Sequence, residues 1–391
     1  MALLQPVFAL ALLPLAAGCA YLLLLTLCSA RSAPPPPARG QLKFDILVPA
    51  HNEAATIART IASLRRLRWP AQRFRILVVC DNCSDDTAPR ARAAGAVALE
   101  RRDDSRRGKG HALRHGFDAS LREGWADAVL VVDADSEVTP NLLEACAARI
   151  ERGARAVQAH YAVLNPQASP RTRLMALAFA CIHPLRSRAR QRLGLSCGIR
   201  GNGWCVHRLV LRDVPYAAYT LAEDVEYGVA LGLAGVRVEY ADEAQVLGEM
   251  VSTEAAARSQ RLRWEGGRGL LLRRQLPPLL RRAWRSALCL DLAADLLLPP
   301  LSWLVLGAAS ALPPAALAAL LDRALAPWLW LDLACLGALV LYVARGWSIS
   351  GLGATVLPDL LRVPGFVAWK LRLMLAHSRP AVWVRTTREP S

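Results

Sequence analysis

The chain has 391 residues, of which 54% are hydrophobic and 20% are charged, and its formal net charge is +16 at pH 7. It is too apolar for an ordinary soluble enzyme and too charged for a protein built only of membrane helices, so it predicts a soluble domain joined to membrane spans. Positive charge attracts nucleic acid, but here the arginines cluster beside apolar segments without interleaved aromatics, which indicates a cytosolic membrane face and no nucleic-acid partner.

The first predicted element is an almost unbroken apolar stretch at residues 6–30. It is long enough to cross a bilayer, which takes about 20 residues. A secretory signal peptide is the alternative, but no basic segment precedes the stretch, and it runs into Arg31 and a proline tract at 34–37. We therefore expect an uncleaved membrane anchor, followed by a stiff spacer of polyproline character.

Strands and helices alternate in the next part of the chain, from Lys43 to about Tyr161. The predicted strands are short runs rich in Val, Ile and Leu, as is typical of strands buried on both faces. The strands are predicted at 44–49, 75–80 and 128–132, and the helices at 53–67, 85–94 and 110–122. This alternation predicts an α/β fold with a parallel sheet covered by helices on both faces, whose functional groups gather at the carboxyl ends of the strands.

After Ala168 the chain becomes rich in arginine and apolar residues. Residues 170–192 contain six arginines among Leu, Ala and Phe and predict an amphipathic helix lying against the membrane. Residues 288–312 and 327–343 are apolar enough to cross the bilayer. Residues 351–375 carry four charges, which favours an interfacial helix over a further span.

Two acidic residues interrupt the predicted span at 288–312. Asp291 and Asp295 are four residues apart and share a helix face, and each costs about 2.5 kcal/mol or more at the bilayer centre. We expect them near the cytosolic end of the span, paired with the arginines at 273–285. The alternative is that they line an entrance for the acceptor.

Three crossings place the amino terminus outside the cytosol and the catalytic domain and carboxyl terminus inside, in agreement with the flanking arginines. We therefore expect a multi-pass protein of the inner (plasma) membrane. The expected parts are an anchor at 1–32, a cytosolic domain with amphipathic interface helices at 40–283, two membrane helices at 284–345, and an interfacial helix with a basic tail at 346–391.

An ordered series of short polar motifs runs through the cytosolic domain. In chain order these are VPAHNE at 48–53, CDNCSDDT at 80–87, GKGHAL at 108–113, DAD at 133–135, GNG at 201–203, AED at 222–224 and QRLRW at 260–264. At these spacings, over roughly residues 44–275, the chain resembles the membrane-anchored family 2 glycosyltransferases. The resemblance implies a nucleotide-sugar-binding domain of GT-A type with a mixed, mostly parallel sheet. It also implies a UDP-sugar donor and a single displacement that inverts the anomeric centre to give a β-linkage.

Asp133 and Asp135 follow the third predicted strand on a tight turn. Their oxygens suit a hard divalent cation, magnesium or manganese, shared with a diphosphate. Such a cation stabilises the charge that develops on a leaving nucleotide. A solvated turn that caps the next helix is the alternative. The resemblance assigns Asp133 to the donor and Asp135 mainly to the metal.

Four further residues are expected on the donor side. Asp81 follows the second strand, in a variant of the family motif, and by analogy accepts hydrogen bonds from uracil and ribose. Glu53 and the backbone around Ala50 complete this pocket. Lys109 begins a helix, where free backbone N–H groups favour phosphate, and we expect it to reach the diphosphate; an exposed loop lysine is the alternative.

Glu223 and Asp224 precede a helical run. The resemblance implies that Asp224 is the general base that deprotonates the acceptor hydroxyl, and burial near a diphosphate is expected to raise its pKa. The alternative is that both carboxylates cap the helix. We expect the acceptor side to include Glu223 and the loop Gly201, Asn202 and Gly203, where small residues allow close approach to the backbone.

Gln260, Arg263 and Trp264 are predicted to share one helix face. The indole offers a stacking surface for a sugar, and the arginine offers fixed positive charge for the diphosphate, so we assign all three to the donor site. A tryptophan that anchors the helix at the membrane interface is the alternative.

The sequence leaves two acceptor classes open. One is a lipid or lipid-linked acceptor that receives one sugar, as in ceramide glucosyltransferase-like enzymes; the other is a growing polysaccharide. About three spans per copy are few for a secretion pore, which favours single transfer unless the protein oligomerises or has a partner subunit. A catalytically silent scaffold is disfavoured, because candidates for the metal, base and diphosphate roles are all present.

Overall fold

The computed structural model of the protein describes residues 4–250, 268–362 and 365. Eight strands form one sheet: β1 Phe44–Ala50, β2 Phe74–Asp81, β3 Val97–Arg101, β4 Ala128–Val131, β5 Ser136–Val138, β6 Ala156–Val163, β7 Trp204–His207 and β8 Val238–Gly248. Their order is β3-β2-β1-β4-β7-β6-β8-β5. The first four strands in this order are parallel to one another, as are β6 and β8, whereas β7 is antiparallel to both its neighbours and β5 to β8. The predicted mixed, mostly parallel sheet is confirmed.

Helices cover both faces of the sheet and continue into the apolar part of the chain. They are α1 Leu4–Leu27, α2 Ile57–Arg65, α3 Thr87–Ala93, α4 Lys109–Glu123, α5 Leu142–Ile150, α6 Pro170–Ala180, α7 Arg186–Arg192, α8 Arg208–Asp213, α9 Glu223–Leu233, α10 Arg268–Ala283, α11 Ala287–Leu297, α12 Leu301–Leu321, α13 Ala326–Ser350 and α14 Leu357–Leu360. A π-helical turn, Cys181–Leu185, joins α6 to α7.

Strand β1 shows why the sheet is buried on both faces. Ile46 and Val48 belong to a core that includes residues of α2 and α5, whereas Leu47, which points to the opposite face, packs in a second core with Phe117 of α4. Each fully buried aliphatic side chain of this kind contributes about 1.5–3 kcal/mol. The two cores hold the carboxyl ends of the strands in fixed positions.

Three helices are long and apolar enough to cross a membrane: Leu4–Leu27, Leu301–Leu321 and Arg323–Ser350. The predicted second span at 288–312 is wrong in its position. The helix breaks at Leu298–Pro300, because Pro299 disfavours helical backbone at Leu298 and two prolines in succession remove two backbone donors. Helix α11 therefore lies outside the span and packs on α9, where Gly232 leaves room for Leu292.

The segment at 170–192 also differs from its prediction. It forms α6, the π-turn and α7 rather than one amphipathic helix on a lipid surface, and Arg190 in α7 is fully buried. The tyrosine hydroxyl of Tyr342 in α13 donates to the carbonyl oxygen of Cys181 at 2.8 Å. The segment is thus a packed layer between the sheet and the spanning helices.

Asp291 and Asp295 pair with arginines of this layer and not with those at 273–285. Arg190 bonds to Asp291 at 2.8 Å and to Asp295 at 2.8 Å, and Arg186 lies 3.3 Å from Asp295. Because these charges are buried, removing either partner would leave an uncompensated charge at high cost. Of the predicted interfacial helix at 351–375, only α14 and its surroundings lie within the described residues.

Candidate functional site

The predicted site residues that the structure describes gather at one edge of the sheet. Asp81 ends β2, Asp133 and Asp135 follow β4, Lys109 begins α4, and Glu223 begins α9. The carboxyl ends of parallel strands share this edge, so motifs far apart in the chain become neighbours. Gln260, Arg263 and Trp264 lie outside the described residues, and their assignment to the donor site stays a prediction.

Lys109 lies at the centre of this group. Its Nζ is 2.6 Å from Asp133 Oδ1 and 3.6 Å from Glu223 Oε1, and it donates to the carbonyl oxygen of Gly201 at 2.9 Å. Burial lowers the pKa of Lys109, but the negative charges of Asp133 and Glu223 outweigh it and raise the pKa above its ordinary value. The lysine is therefore charged and held in place, rather than exposed on a loop.

Asn202 organises the turn that carries the two aspartates. Its buried amide oxygen accepts the backbone N–H of Asp133 at 3.0 Å, and its amide nitrogen donates to Ser136 Oγ at 2.7 Å. Ser136 in turn donates to Asp135 Oδ1 at 3.3 Å. These bonds position the aspartates, and the expected place of Asn202 on the acceptor side stays a prediction.

The backbone conformation on both sides of Asn202 favours glycine. Gly201 and Gly203 have φ values of +81° and +72°, a region that side chains disfavour. A Cβ on Gly203 would lie 2.5 Å from Val246 Cγ2, and one on Gly201 would lie 3.4 Å from Asp224 Oδ2. The loop thus passes close to Asp224, as expected for the acceptor side.

Glu223 and Asp224 occupy the first turn of α9, and the N-cap residue Ala222 makes no capping side-chain bond. Burial raises the pKa of Glu223 to about 7; Lys109 opposes this shift and Asp224 adds to it. Burial also raises the pKa of Asp224, against hydrogen bonding from the backbone N–H of Val225 and the charge of Lys109. A carboxylate with a raised pKa is a stronger base than an exposed one, which suits both residues to proton transfer.

The expected donor pocket lies beside this cluster. Asp81 is nearly buried, and its Oδ1 is bound by the guanidinium of Arg101 and by Asn82 Nδ2. The carbonyl oxygen of Asp81 lies 2.7 Å from His51 Nδ1. Sequence reasoning missed Arg101, because it ends β3, a charged edge strand without an apolar run.

Hydrogen bonds join the loops after β1 and β2 to each other near this pocket. Glu53 donates its backbone N–H to Thr87 Oγ1 at 2.8 Å, and its Oε2 accepts from Thr56 at 3.0 Å. The carbonyl oxygen of Ala50 accepts the thiol of Cys83 at 3.5 Å. The structure therefore brings the loops that carry Glu53, Ala50 and Asp81 together.

The segment before α9, which was not predicted as part of the site, closes the site on the side of α4. His111 and Tyr219 stack with ring centroids 4.4 Å apart, and the carbonyl oxygen of Ala218 comes so close to Gly110 that a Cβ there would lie 2.2 Å from it. Glu226 Oε2 accepts the backbone N–H groups of Tyr219 and Thr220, both at 3.1 Å. The segment before α9 thus lies against the start of α4.

The loop before Gly201 is tied to the membrane-side helices. Arg200 Nη2 lies 3.1 Å from Asp295 Oδ2, and Arg200 also donates to the carbonyl oxygen of Cys197 at 2.9 Å. The sequence feature that could have indicated this link is the pair Asp291 and Asp295 in an apolar helix. Their arginine partners, however, lie far away in the chain. Asp295 also pairs with Arg186, which donates to the hydroxyl of Tyr342 in α13 at 2.8 Å. The carboxylate cluster and this candidate span are therefore connected through polar side chains.

The donor set at Asp133 and Asp135 fits a magnesium or manganese ion. Both residues offer carboxylate oxygens on one turn, and no group of three or more metal-ligating side chains occurs in the described part of the chain. Magnesium in phosphate-transferring sites commonly takes one or two carboxylates and completes its shell with substrate phosphates and water. Two aspartates on one turn at the carboxyl end of β4 meet that requirement.

Comparison with known proteins identifies the family to which the chain is similar. A model described as glycosyltransferase like family 2 matches residues 41–267. The chain is 30% identical over 238 residues to a beta-monoglucosyldiacylglycerol synthase of Trichormus variabilis, covering 59% of this chain and 50% of that protein. It is 24% identical over 249 residues to glucomannan 4-beta-mannosyltransferase 7 of Arabidopsis thaliana, covering 60% and 44%. The chain thus spans about half the length of these curated relatives.

The structure also resembles that of mannosyltransferase PcManGT from Pyrobaculum calidifontis in complex with GDP-Man and Mn2+. The TM-score is 0.57 at 17% sequence identity, and the match covers 85% of this chain and 97% of that one. At this identity the likeness shows a shared fold. Because it covers most of both chains, it extends beyond the segment that the family model matches.

Proposed function

The chain belongs to glycosyltransferase-like family 2 and is a glycosyltransferase with a GT-A-like fold, and we propose that it moves a hexose or N-acetylhexosamine from a UDP-sugar to a lipid or lipid-linked acceptor, forming a β-glycosidic bond. One observation carries the proposal: Asp133, Glu223 and Asp224 lie around Lys109 at one sheet edge, with Asp135 on the same turn as Asp133. This edge is linked to α13 through Arg200, Asp295 and Arg186.

In the proposed reaction the acceptor oxygen attacks the anomeric carbon while the bond from that carbon to the diphosphate breaks. Asp224 takes the proton of the acceptor hydroxyl, and burial raises its pKa, which makes it a stronger base. Attack opposite to the leaving group inverts the centre. Glu223, ion-paired to Lys109, keeps the lysine oriented and is not free to act in the same way.

The leaving nucleoside diphosphate is stabilised by fixed charge. Asp133 and Asp135 would hold magnesium or manganese, which when bound supplies Lewis-acid stabilisation to the diphosphate. Lys109 adds a positive charge that is already positioned before the donor arrives, so little reorganisation is needed. Asp81 and Glu53 are proposed to bind the uridine, and Gln260, Arg263 and Trp264 to clamp the donor.

A lipid acceptor agrees with the position of the site. Apolar residues of the three candidate spans share one core with α6, the π-turn and α7, the layer that touches the catalytic loops. One relative is named a beta-monoglucosyldiacylglycerol synthase. We propose a multi-pass inner-membrane enzyme with a cytosolic catalytic domain and an amino terminus outside. Cytosolic nucleotide sugars and membrane lipids would then meet at the same site.

A processive polysaccharide synthase is the second candidate, and the similarity to a glucomannan mannosyltransferase favours it. Three candidate spans among the described residues are few for a pore. An oligomer or a partner subunit would supply the missing helices. Product length separates the candidates: one sugar per acceptor for the first, a polymer for the second.

The test uses purified full-length protein in lipid nanodiscs with UDP-glucose, UDP-galactose, UDP-N-acetylglucosamine and GDP-mannose. Nucleotide release is measured with and without lipid acceptors, and products are sized by mass spectrometry. We expect release from one UDP-sugar, stimulated by lipid, and a singly glycosylated product. Release from GDP-mannose alone would refute the donor assignment, and a polymer would refute single transfer.

A further inference from the structure

Three aromatic rings contact one another between the carboxylate cluster and the spanning helices. Phe179 of α6 packs edge-on against Tyr161 with centroids 5.2 Å apart, and His183 lies 4.7 Å from Phe179 and 5.3 Å from Tyr161. The proposed roles of metal, base and donor residues use none of the three. We refer to Tyr161, Phe179 and His183 as the aromatic triad.

Tyr161 joins the triad to the catalytic cluster. It lies near the end of β6, just past a bulge in the pairing of β6 with β8, and Gly248 opposite it leaves space that a Cβ would fill at 2.7 Å from Tyr161 Oη. Burial raises the pKa of Tyr161, and the charges of Asp133 and Asp135 raise it further. A hydrogen bond with Asn202 opposes this rise and connects the phenol to the residue that braces the aspartate turn.

His183 joins the triad to the membrane side. It lies in the π-turn Cys181–Leu185, a helical irregularity that is frequent at functional sites. The turn is seated on α13: a Cβ on Gly346 would lie 2.2 Å from Cys181 Sγ, and Tyr342 donates to the carbonyl oxygen of Cys181. Ile182, next to His183, is exposed. The triad thus extends from the aspartates to the spanning helices.

The imidazole of His183 has an unused polar atom. Its Nδ1 is buried and has no hydrogen-bond partner among the residues that the structure describes. Buried polar atoms in folded proteins are nearly always bonded, so each exception requires an explanation. Burial and the charge of Arg200 lower the pKa of His183, which leaves a neutral ring with one donor and one acceptor.

The charges around His183 indicate which ligand this atom suits. The nearby cations Arg186 and Arg200 are both bound by Asp295, at 3.3 Å and 3.1 Å. A phosphate would have to compete with these ion pairs and with the bonds that Arg186 makes to Tyr342 and Arg200 to the carbonyl oxygen of Cys197. A neutral ring in an aromatic surrounding instead suits a hydroxyl or carbonyl group attached to an apolar chain.

We propose that Tyr161, Phe179 and His183 form the acceptor subsite, and that the acceptor is a neutral lipid alcohol whose polar head group bonds to His183 Nδ1. This inference depends on the transfer reaction proposed above and narrows its acceptor class. The aromatic rings contact the glycerol-like or sphingoid head, the acyl chains extend along α13, and the reacting hydroxyl is directed past Tyr161 toward Asp224. A lipid phosphate is the competing acceptor class.

The test compares His183→Ala, His183→Asn and Phe179→Leu with the matched control His115→Ala, whose histidine lies on α4 away from the triad. Full-length variants in nanodiscs are assayed for nucleotide release without acceptor, for donor KM, and for transfer to diacylglycerol and to polyprenyl phosphate. We expect His183→Ala and Phe179→Leu to raise the KM for diacylglycerol by about tenfold, with acceptor-free release and donor KM changed less than about twofold. His183→Asn, which can place an amide near Nδ1, should recover part of the loss.

A binding measurement separates this inference from the proposed reaction. Wild-type protein is irradiated with a photoreactive diacylglycerol, and crosslinked peptides are mapped by mass spectrometry. We expect crosslinks within residues 161–183 that diacylglycerol suppresses and phosphatidic acid does not. Unchanged acceptor KM in both His183 and Phe179 variants, crosslinks elsewhere, or transfer to polyprenyl phosphate alone would overturn the subsite. Crosslinks at 161–183 in a protein that releases no nucleotide from any sugar donor would refute the reaction while retaining the lipid site.

Discussion

Replacing Asn202 by alanine tests whether one buried amide organises the turn that carries Asp133 and Asp135. The substitution leaves the backbone N–H of Asp133 without its acceptor and removes the donor to Ser136 Oγ. The backbone carbonyl of Asn202, which accepts from Gln158 at 2.7 Å, is not affected. Only the interactions of the side chain are therefore lost.

The expected cost follows from these contacts. A buried polar group left without its partner costs about 1–3 kcal/mol, and the missing amide also leaves a small cavity, so we expect a total loss of about 2–4 kcal/mol. In a domain of this size 1 kcal/mol lowers the Tm by about 2–4 °C, which predicts a decrease on the order of 10 °C. Loss of an outer partner typically weakens metal binding about tenfold or more.

Thermal unfolding of the purified variant, followed by tryptophan fluorescence, measures the first effect. The concentration of Mn2+ that gives half-maximal nucleotide release measures the second. The control is Asn141→Ala, which loses one hydrogen bond to the carbonyl oxygen of Glu243 and lies outside the carboxylate cluster. We expect it to lower the Tm slightly and to leave the Mn2+ requirement unchanged.

Two results would contradict this reasoning about Asn202. An unchanged Tm would mean that the N–H of Asp133 finds another partner at no cost. A lowered Tm with an unchanged Mn2+ requirement would mean that Asn202 supports the fold but does not position the aspartates for the metal.

Four further predictions concern the acids and the membrane topology. Asp135→Ala should abolish transfer with folding intact, and wild-type activity should disappear in excess chelator; full activity in chelator would remove the metal assignment. Asp224→Asn should lower turnover by about a hundredfold or more while calorimetry shows unchanged UDP binding; lost binding with normal turnover of bound donor would make it a binding residue. The pKa of Glu223 is raised to about 7 in the folded state, so between the ordinary glutamate pKa and pH 7 the folded state binds more protons than the unfolded state. The free energy of unfolding should therefore fall as pH rises through this window. In Glu223→Gln the decrease in Tm with pH should be smaller, and a pH profile identical to that of the wild type would contradict the raised pKa. Single cysteines at positions 2, 320 and 389 should react with an impermeant reagent in intact cells at 2 and 320 only; labelling of 389 but not 320 would invert the topology.

Several strands and helices could be predicted from local sequence because their signals are local. The runs at 44–49, 75–80 and 128–132 became β1, β2 and β4, since a strand buried on both faces needs consecutive apolar residues. Strand β3 was missed because, as an edge strand, it buries little and has the sequence VALER. The antiparallel insertion of β7 between β4 and β6 depends on pairing between distant segments, which no local pattern records.

The membrane segments show a similar division. The apolar windows identified three spans, but the second was misplaced, because hydropathy continues through Pro299 and Pro300 while the helix does not. The partners of Asp291 and Asp295 were also misassigned. Arginines nearby in the chain were expected, whereas the actual partners come from α7 and from the loop before Gly201, about a hundred residues earlier.

The sequence by itself determined the family, the α/β class and the acidic motifs, because these depend on residue types at fixed spacings. Only the tertiary structure decided how the motifs are held: Lys109 bridges Asp133 and Glu223, Asn202 braces the aspartate turn, and Asp295 ties Arg200 to the membrane side. These are interactions between side chains from different elements. Their geometry arises when the carboxyl ends of the strands meet at one edge of the sheet, and burial there then raises the pKa values of Glu223 and Asp224.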